Sequence, residues 1–235
     1  MIIAIDGPAG AGKSTVCKIL AKRLGFAYLD TGAMYRALAW AILKTENHSR
    51  QFDELNEDQL WEVLRRVPLH FSLREDGIEI SSGGKVLSDE LRDPEISETA
   101  SKISRSLAVR EFLVDRQRKL ATGEVSIIAE GRDTATVVFP NADLKVFLTA
   151  DLQRRAERRF EEYIVKEIRL SLEELKVRIR ERDEADSKRD HSPLRPAEGS
   201  ILLDTSHLAI EEVVDRLSEM VRSVIDSGSS AIGEL

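Results

Sequence analysis

Nine consecutive residues near the amino terminus, Gly7-Pro8-Ala9-Gly10-Ala11-Gly12-Lys13-Ser14-Thr15, satisfy the pattern G-x-x-x-x-G-K-[ST] in full. Glycines let the backbone curl without a Cβ clash, so successive N–H groups can point at one polyphosphate. A helix starting at that point adds the positive end of its dipole. Lys13 supplies a compact positive charge for the outer phosphates, and the Ser14 hydroxyl can ligate the Mg²⁺ that travels with them. Three further tracts hold charged side chains at short spacing: Asp30-Thr31-Gly32-Ala33-Met34-Tyr35-Arg36, Glu130-Gly131-Arg132-Asp133, and the run from Arg182 to His191. Guanidinium groups bind phosphate oxygens two at a time, so arginines gathered opposite a phosphate-binding loop make an anion clamp.

These tracts need a scaffold, and the intervening sequence supplies it. The apolar run Ile2-Ile3-Ala4-Ile5 precedes the glycine loop, and Val16, Ile19, Leu20 and Leu24 follow at helical spacing until Gly25. Phe26–Leu29, Val125–Ala129, Lys145–Thr149 and Ile201–Asp204 read as further strands. Helical patterns are expected over Met34–Lys44, with Thr31 as cap, and over Leu60–Val67, Pro94–Ile103, Leu107–Ala121, Asp151–Ile168, Leu172–Arg182 and Ile210–Ile225. Strand-helix alternation of this kind predicts an α/β fold, a doubly wound five-stranded parallel sheet, with ligands at the carboxyl ends of the strands. Between Leu69 and Leu87 the pattern changes to period two around Gly-containing turns, the mark of a small antiparallel meander.

The expected organisation is a single P-loop domain over residues 1–226. Its core comprises 1–64, 106–168 and 199–226, interrupted by a subdomain at about 65–105 and a helical lid at about 169–198. The Ser/Gly-rich stretch 227–235 is expected to be a disordered tail. Arg182–His191 has two readings, a mobile polar loop or a lid whose arginines close over phosphates. Most of Arg110, Arg116 and Arg118 are expected to face solvent.

Composition excludes several classes. The 235 residues carry a net charge of -7, which disfavours a nucleic-acid polymer as partner because phosphate neutralisation needs a basic face. The single cysteine, Cys17, has no disulfide partner and reads as a small core residue. No apolar run approaches a membrane span, and the chain begins in a strand, not in a basic and apolar leader, so a cytoplasmic location is expected. His48, His70, His191 and His207 are scattered without metal-ligand spacing. No heptad seam is present, which favours a monomer.

The phosphate-binding loop alone leaves a switch protein, a motor and a small-molecule kinase open. The guanine-reading pattern N-K-x-D is missing: Asn47, Asn56 and Asn141 are followed by His, Glu and Ala. Arginines at several strand ends beside a charged lid suit phosphoryl transfer between two small molecules, where catalysis is alignment and charge neutralisation. Kinases of the adenylate or shikimate type, and a nucleotide-dependent regulatory module, are the alternatives.

As a set, the motifs resemble bacterial cytidylate (CMP) kinases of the nucleoside monophosphate kinase group. The carriers are Gly7–Thr15, Asp30–Arg36, Gly131-Arg132-Asp133 with Val137-Val138-Phe139-Pro140, Arg182-Asp183 with Asp186-Ser187 and Arg189, and Ser192-Pro193-Leu194. The resemblance implies transfer of phosphate from ATP to CMP and dCMP with Mg²⁺, and a monophosphate-binding role for the antiparallel insertion. It implies that Gly7 to Thr15 hold ATP and that Arg36 and Arg132 hold the acceptor phosphate near Thr31. Ser101, Arg110 and Asp133 would read cytosine, Asp186 would bond a ribose hydroxyl, and Arg182 and Arg189 would meet the transferred group beside Lys13. Four positions depart from the family's usual residues: Glu130 in place of Asp, Thr134-Ala135 in place of Met-Gly, and Thr31 in place of Ser. A carboxylate beside a guanidinium matches the amino donor at cytosine N4 and the acceptors at N3 and O2. Uracil reverses the first two, so UMP is expected to be a poor acceptor.

Overall fold

Five short strands lie side by side in one parallel sheet: β1 (Ile2–Asp6), β2 (Ala27–Asp30), β6 (Ile127–Gly131), β7 (Leu144–Thr149) and β8 (Ile201–Asp204), in the order β2-β6-β1-β7-β8. The computed structural model describes residues 1–44, 55–74, 77–123, 125–165 and 170–230. Residues of β1 and β6 are entirely apolar up to their carboxyl ends, as strands covered on both faces must be. Side chains alternate between two cores. Ala27, Leu29, Ile127 and Ala129 face one core, and Ile3, Ile5, Tyr28, Ile128, Val146 and Leu148 face the other.

The helix α1 (Lys13–Leu24) leaves the glycine loop and packs with α8 (Ile210–Ser230) over the second face. Gly25, in the left-handed conformation, ends α1 by donating its N–H to Ala21. Over the first face lie α2 (Thr31–Lys44), α3 (Glu57–Arg66), α4 (Pro94–Ile103) and α5 (Leu107–Leu120). The antiparallel meander is β3 (Leu69–Arg74), β4 (Gly77–Ser82) and β5 (Lys85–Leu87), and it packs against β2 and α2. The helices α6 (Leu152–Val165) and α7 (Leu172–Ser187) pack on each other beyond the carboxyl end of β7.

Several boundaries differ from the sequence expectation. Thr31 does not cap α2 but is its first residue. The Asp30 carboxylate takes the capping place, accepting the Ala33 N–H at 2.8 Å, while the Thr31 hydroxyl donates to the Glu130 carbonyl at 2.7 Å. Helix α3 begins at Glu57, ahead of the expected start at Leu60, because Asn56 and Gln59 form a capping box. Arg182–Ser187 belongs to α7 and is not a loop. Helix α8 continues past Ser227 to Ser230, where a disordered tail was expected. Residues 45–54, 75–76, 124, 166–169 and 231–235, which include His48 and parts of an expected turn, helix end and tail, lie outside the described residues. Of the arginines expected mostly to face solvent, Arg118 is exposed while donating to the carbonyls of Val137 and Val138, Arg116 is half-buried 3.4 Å over the Phe112 ring, and Arg110 is buried.

Candidate functional site

Strand register brings the chemical tracts together. Asp6, the last residue of β1, pairs with Gly131, and Asp30, the last of β2, pairs with Glu130. Three neighbouring strands therefore end level, releasing the glycine loop, the Arg36-bearing helix and Arg132-Asp133 at one edge. This is the edge where open α/β sheets bind ligands. Gly7 is required there for more than flexibility, since a Cβ at this position would sit 2.1 Å from the Leu148 carbonyl oxygen.

The buried Asp6 carboxylate accepts from Thr134 N–H at 2.8 Å, Thr134 Oγ1 at 2.6 Å and Ala135 N–H at 2.8 Å. It pins the π-helical turn Thr134–Val138 that follows Asp133 to the strand that precedes the glycine loop. Burial raises its carboxyl pKa despite these bonds. Lys13 lies folded over the loop, its Nζ donating to the carbonyls of Gly7 at 2.8 Å and Pro8 at 2.9 Å. Loss of hydration, followed by the neighbouring positive Arg132, lowers its pKa to about 7 in opposition to Glu130 and Asp6.

Arg36 is held at 2.9 Å from the Asp30 carboxylate. Arg132 Nε donates to Asp186 at 3.0 Å, and the opposite oxygen of Asp186 lies 3.6 Å from Arg189. Burial would raise the Asp186 carboxyl, but Arg132, Arg189 and Arg182 together hold it below its ordinary value. Arg182 is brought down to about 10 by burial and by the nearby like charges of Arg132, Arg159 and Arg36, in opposition to Asp186. Arg110 and Asp133 form an ion pair whose side chains are 4% and 7% exposed. Arg110 also donates to the Ser104 carbonyl at 3.0 Å and lies over the Tyr35 ring. Ser101, on α4, joins through its carbonyl, which accepts the Ser104 hydroxyl at 2.8 Å, and Arg189 reaches that hydroxyl at 3.5 Å.

The polar atoms left over mark where a ligand belongs. Tyr35 Oη, the Nε atoms of Arg110, Arg182 and Arg189, and both side-chain polar atoms of Gln117 are buried without a hydrogen-bond partner among the described residues. Buried polar groups are nearly always paired, and the four on Tyr35, Arg110, Arg182 and Arg189 belong to residues grouped about Asp133 and Asp186, so they call for a polar guest there. For a metal, Ser14 is exposed on the first turn of α1 within reach of the Glu130 carboxylate, which is itself bonded by Tyr28 Oη. Burial and the nearby Asp30 raise the Glu130 carboxyl. These are hard oxygen donors, as Mg²⁺ prefers, and they fit an ion whose remaining ligands come from phosphate and water. No cluster of three or more His, Cys, Asp or Glu that could hold a metal by itself occurs among the described residues.

Of the residues expected to bind ATP, CMP or metal, Ser101 and Thr15 border this edge from α4 and from the exposed face of α1. Sequence reading missed Asp6, Tyr28, Ser104, Arg155 and Arg158. Arg155 Nη1 donates to the Ala9 carbonyl at 3.0 Å, and Arg158 Nη1 to the Ala11 carbonyl at 3.3 Å. Their three-residue spacing on a helix that directly follows a strand was the available signal.

The family model for cytidylate kinase matches residues 3–223. A cytidylate kinase of Caldanaerobacter subterraneus subsp. tengcongensis is 48% identical over 220 residues, 94% of each chain. One from Alkaliphilus oremlandii is 44% identical over 222 residues, 94% of this chain and 98% of its own. An uncharacterised protein from Eubacterium ventriosum has the same overall fold, with a TM-score of 0.53 at 12% identity over 95% of this chain and 99% of its own. No helix among the described residues is long and apolar enough to cross a membrane. With the glycine loop, the arginines near it, the family match over residues 3–223 and 48% identity across 94% of the chain all in agreement, the chain belongs to the cytidylate kinase family.

Proposed function

We propose that ATP and CMP meet end to end across the arginine gap, and that the side chains around it divide the work of in-line transfer. As a member of the cytidylate kinase family the chain phosphorylates CMP and dCMP with ATP. Gly7 to Thr15 hold the triphosphate, whose charge draws Lys13 off the carbonyls it now contacts. Arg36 and Arg132 hold the acceptor phosphate, and one of its oxygens attacks the γ-phosphorus while ADP leaves. Arg182 and Arg189 neutralise the charge spread over the transferring group, where preorganised donors lower the barrier most. Ser14 would hold Mg²⁺, which supplies charge neutralisation on the phosphates.

Cytosine lies against Asp133 and Arg110, with Ser101 beside them and Thr31 at the sugar-phosphate end, and Asp186 meets the ribose. On this reading the segment about 65–105 is the monophosphate-binding subdomain and about 169–198 the lid. Both substrates are held by groups of one chain, consistent with a monomer, and the two nucleotides are those of the cytoplasm.

The observation that carries this is the set of four orphaned polar atoms on Tyr35, Arg110, Arg182 and Arg189. A coupled assay of ADP release tests it. CMP and dCMP should drive turnover, UMP and AMP should lag by about 100-fold or more in kcat/KM, and ATP alone should give almost none. Equal rates with UMP or AMP would overturn the base-reading assignment, and CMP-independent ATP turnover would favour a nucleotide-driven regulatory module.

A further inference from the structure

Ala9, near the tip of the glycine loop, has both of its backbone polar groups taken by other elements. Asp183 of α7 accepts the Ala9 N–H at 3.2 Å. Arg155 of α6 donates through Nη1 to the Ala9 carbonyl at 3.0 Å and through Nε to the Ala150 carbonyl at 2.9 Å. Arg155 and Asp183 are ion-paired with each other, their side chains 10% and 19% exposed. The loop also lies directly on α6, since a Cβ at Gly10 would be 2.8 Å from the Arg155 carbonyl oxygen. One ion pair thus joins the phosphate loop to both helices beyond β7.

Asp183 is adjacent to Arg182 and three residues before Asp186 on the same helix. Fixing Asp183 against Ala9 therefore sets both the distance and the rotation of the helix that carries Arg182. A solvent-exposed ion pair would do little, because water screens it. This pair is largely sheltered and completes two backbone hydrogen bonds, so separating it leaves the Ala9 amide and carbonyl without those partners. We propose that Asp183, together with Arg155, is a positioning pair that latches α7 onto the glycine loop and so places Arg182 against the transferring phosphoryl group. Neither side chain is assigned contact with substrate. The inference rests on Arg182 meeting the transferred group.

The test is steady-state kinetics with ATP and CMP on the full chain and five variants: Arg182→Ala, Asp183→Ala, Asp183→Asn, Arg155→Met and the double Asp183→Ala/Arg155→Met. Hydrogen exchange of the α7 amides, with CMP and a non-hydrolysable ATP analogue present or absent, is the second readout. Asp183→Ala should lower kcat by about 30- to 100-fold with both KM values within about threefold, since a displacement near 1 Å costs that much in an aligned reaction. Asp183→Asn keeps an acceptor for the Ala9 N–H and should fall less. The double variant should be no worse than about threefold below the worse single one, because both remove the same latch. Nucleotides should protect the α7 amides in the unmodified chain and fail to do so in Asp183→Ala.

A kcat within twofold of the parent for Asp183→Ala, additive losses in the double variant, or a loss confined to the KM for ATP would each overturn the latch. So would a lowered melting temperature with kcat unchanged. If Asp183→Ala does not fold, a parent-like kcat in Asp183→Asn and Arg155→Met overturns it equally. Undiminished turnover in Arg182→Ala would instead overturn the Arg182 assignment, so the two failures are distinguishable.

Discussion

Asp6 and Thr134 are bonded twice, the carboxylate of one accepting both the backbone N–H and the hydroxyl of the other at 2.8 and 2.6 Å. The residue before the phosphate loop thereby fixes the residue after the Gly-Arg-Asp triplet. Replacing Asp6 by Asn puts an amide donor where three donors already converge. Asp6→Asn should cost about 2–3 kcal/mol of stability, the scale of a buried unsatisfied group. A melting curve should show a midpoint lowered by several degrees, with the KM for CMP raised. An unchanged midpoint would mean that the turn is held by other contacts.

Arg132, just past the end of β6, is bonded to Asp186 of α7 at 3.0 Å. Arg132→Ala should lower kcat/KM for CMP by about 10³-fold, because an aligned charge-assisted contact and the anchor of Asp186 are lost together. ATP affinity, measured by titration without CMP, should stay within about threefold of the parent. Ordinary CMP turnover would remove Arg132 from the acceptor site.

The Arg110–Asp133 pair is buried, so neutralising one partner acts on both recognition and stability. Asp133→Asn offers an amide donor where cytosine presents its own. The ratio of kcat/KM for CMP over UMP should narrow by at least about tenfold, since discrimination of this kind comes from unpaired polar groups. Measuring both substrates on the same variant checks it, and an unaltered ratio would place base reading elsewhere.

Asp186 gives a pH dependence of defined sign. Its carboxyl is held below the ordinary 3.8, so on acidification the unfolded chain takes up this proton before the folded one does. The stability it contributes is therefore complete above pH 3.8 and is lost as pH falls through the lower folded value. The raised carboxyls of Asp6 and Glu130 act in the opposite sense, favouring the folded chain as they protonate. Denaturant titrations from about pH 5 down to about pH 2 should show a shallower acid decline in Asp186→Asn than in the parent. A steeper decline would contradict the assignment.

How much of this was legible in sequence depended on whether the signal was local. The glycine loop, the two Arg-bearing strand ends and the meander are read from contiguous residues, and each is found where expected to within about two residues. Helix α7 was cut short because its buried stripe runs Leu175, Ile179, Asp186. A charged residue in the third place ends an apolar periodicity although the helix goes on. Ser171 and Glu174 had announced its start by a capping box. Asp6 gave no sign at all, because its partners Thr134 and Ala135 are 128 and 129 residues away. Arg155 and Arg158 lie inside the expected helix, and only the fold turns them toward the carbonyls of Ala9 and Ala11. The Asp30 cap was misplaced by one residue onto Thr31, both types being good helix starters.

The level ending of β1 and β6 has a consequence for the chemistry itself. Donor and acceptor machinery leave neighbouring strands, so their separation begins at one interstrand spacing, about 4.8 Å. That interval is set by backbone amides and carbonyls that no side-chain replacement touches. On the proposed assignment the ruler for phosphoryl transfer is thus part of the sheet, and the arginines only refine a distance already given by the peptide groups.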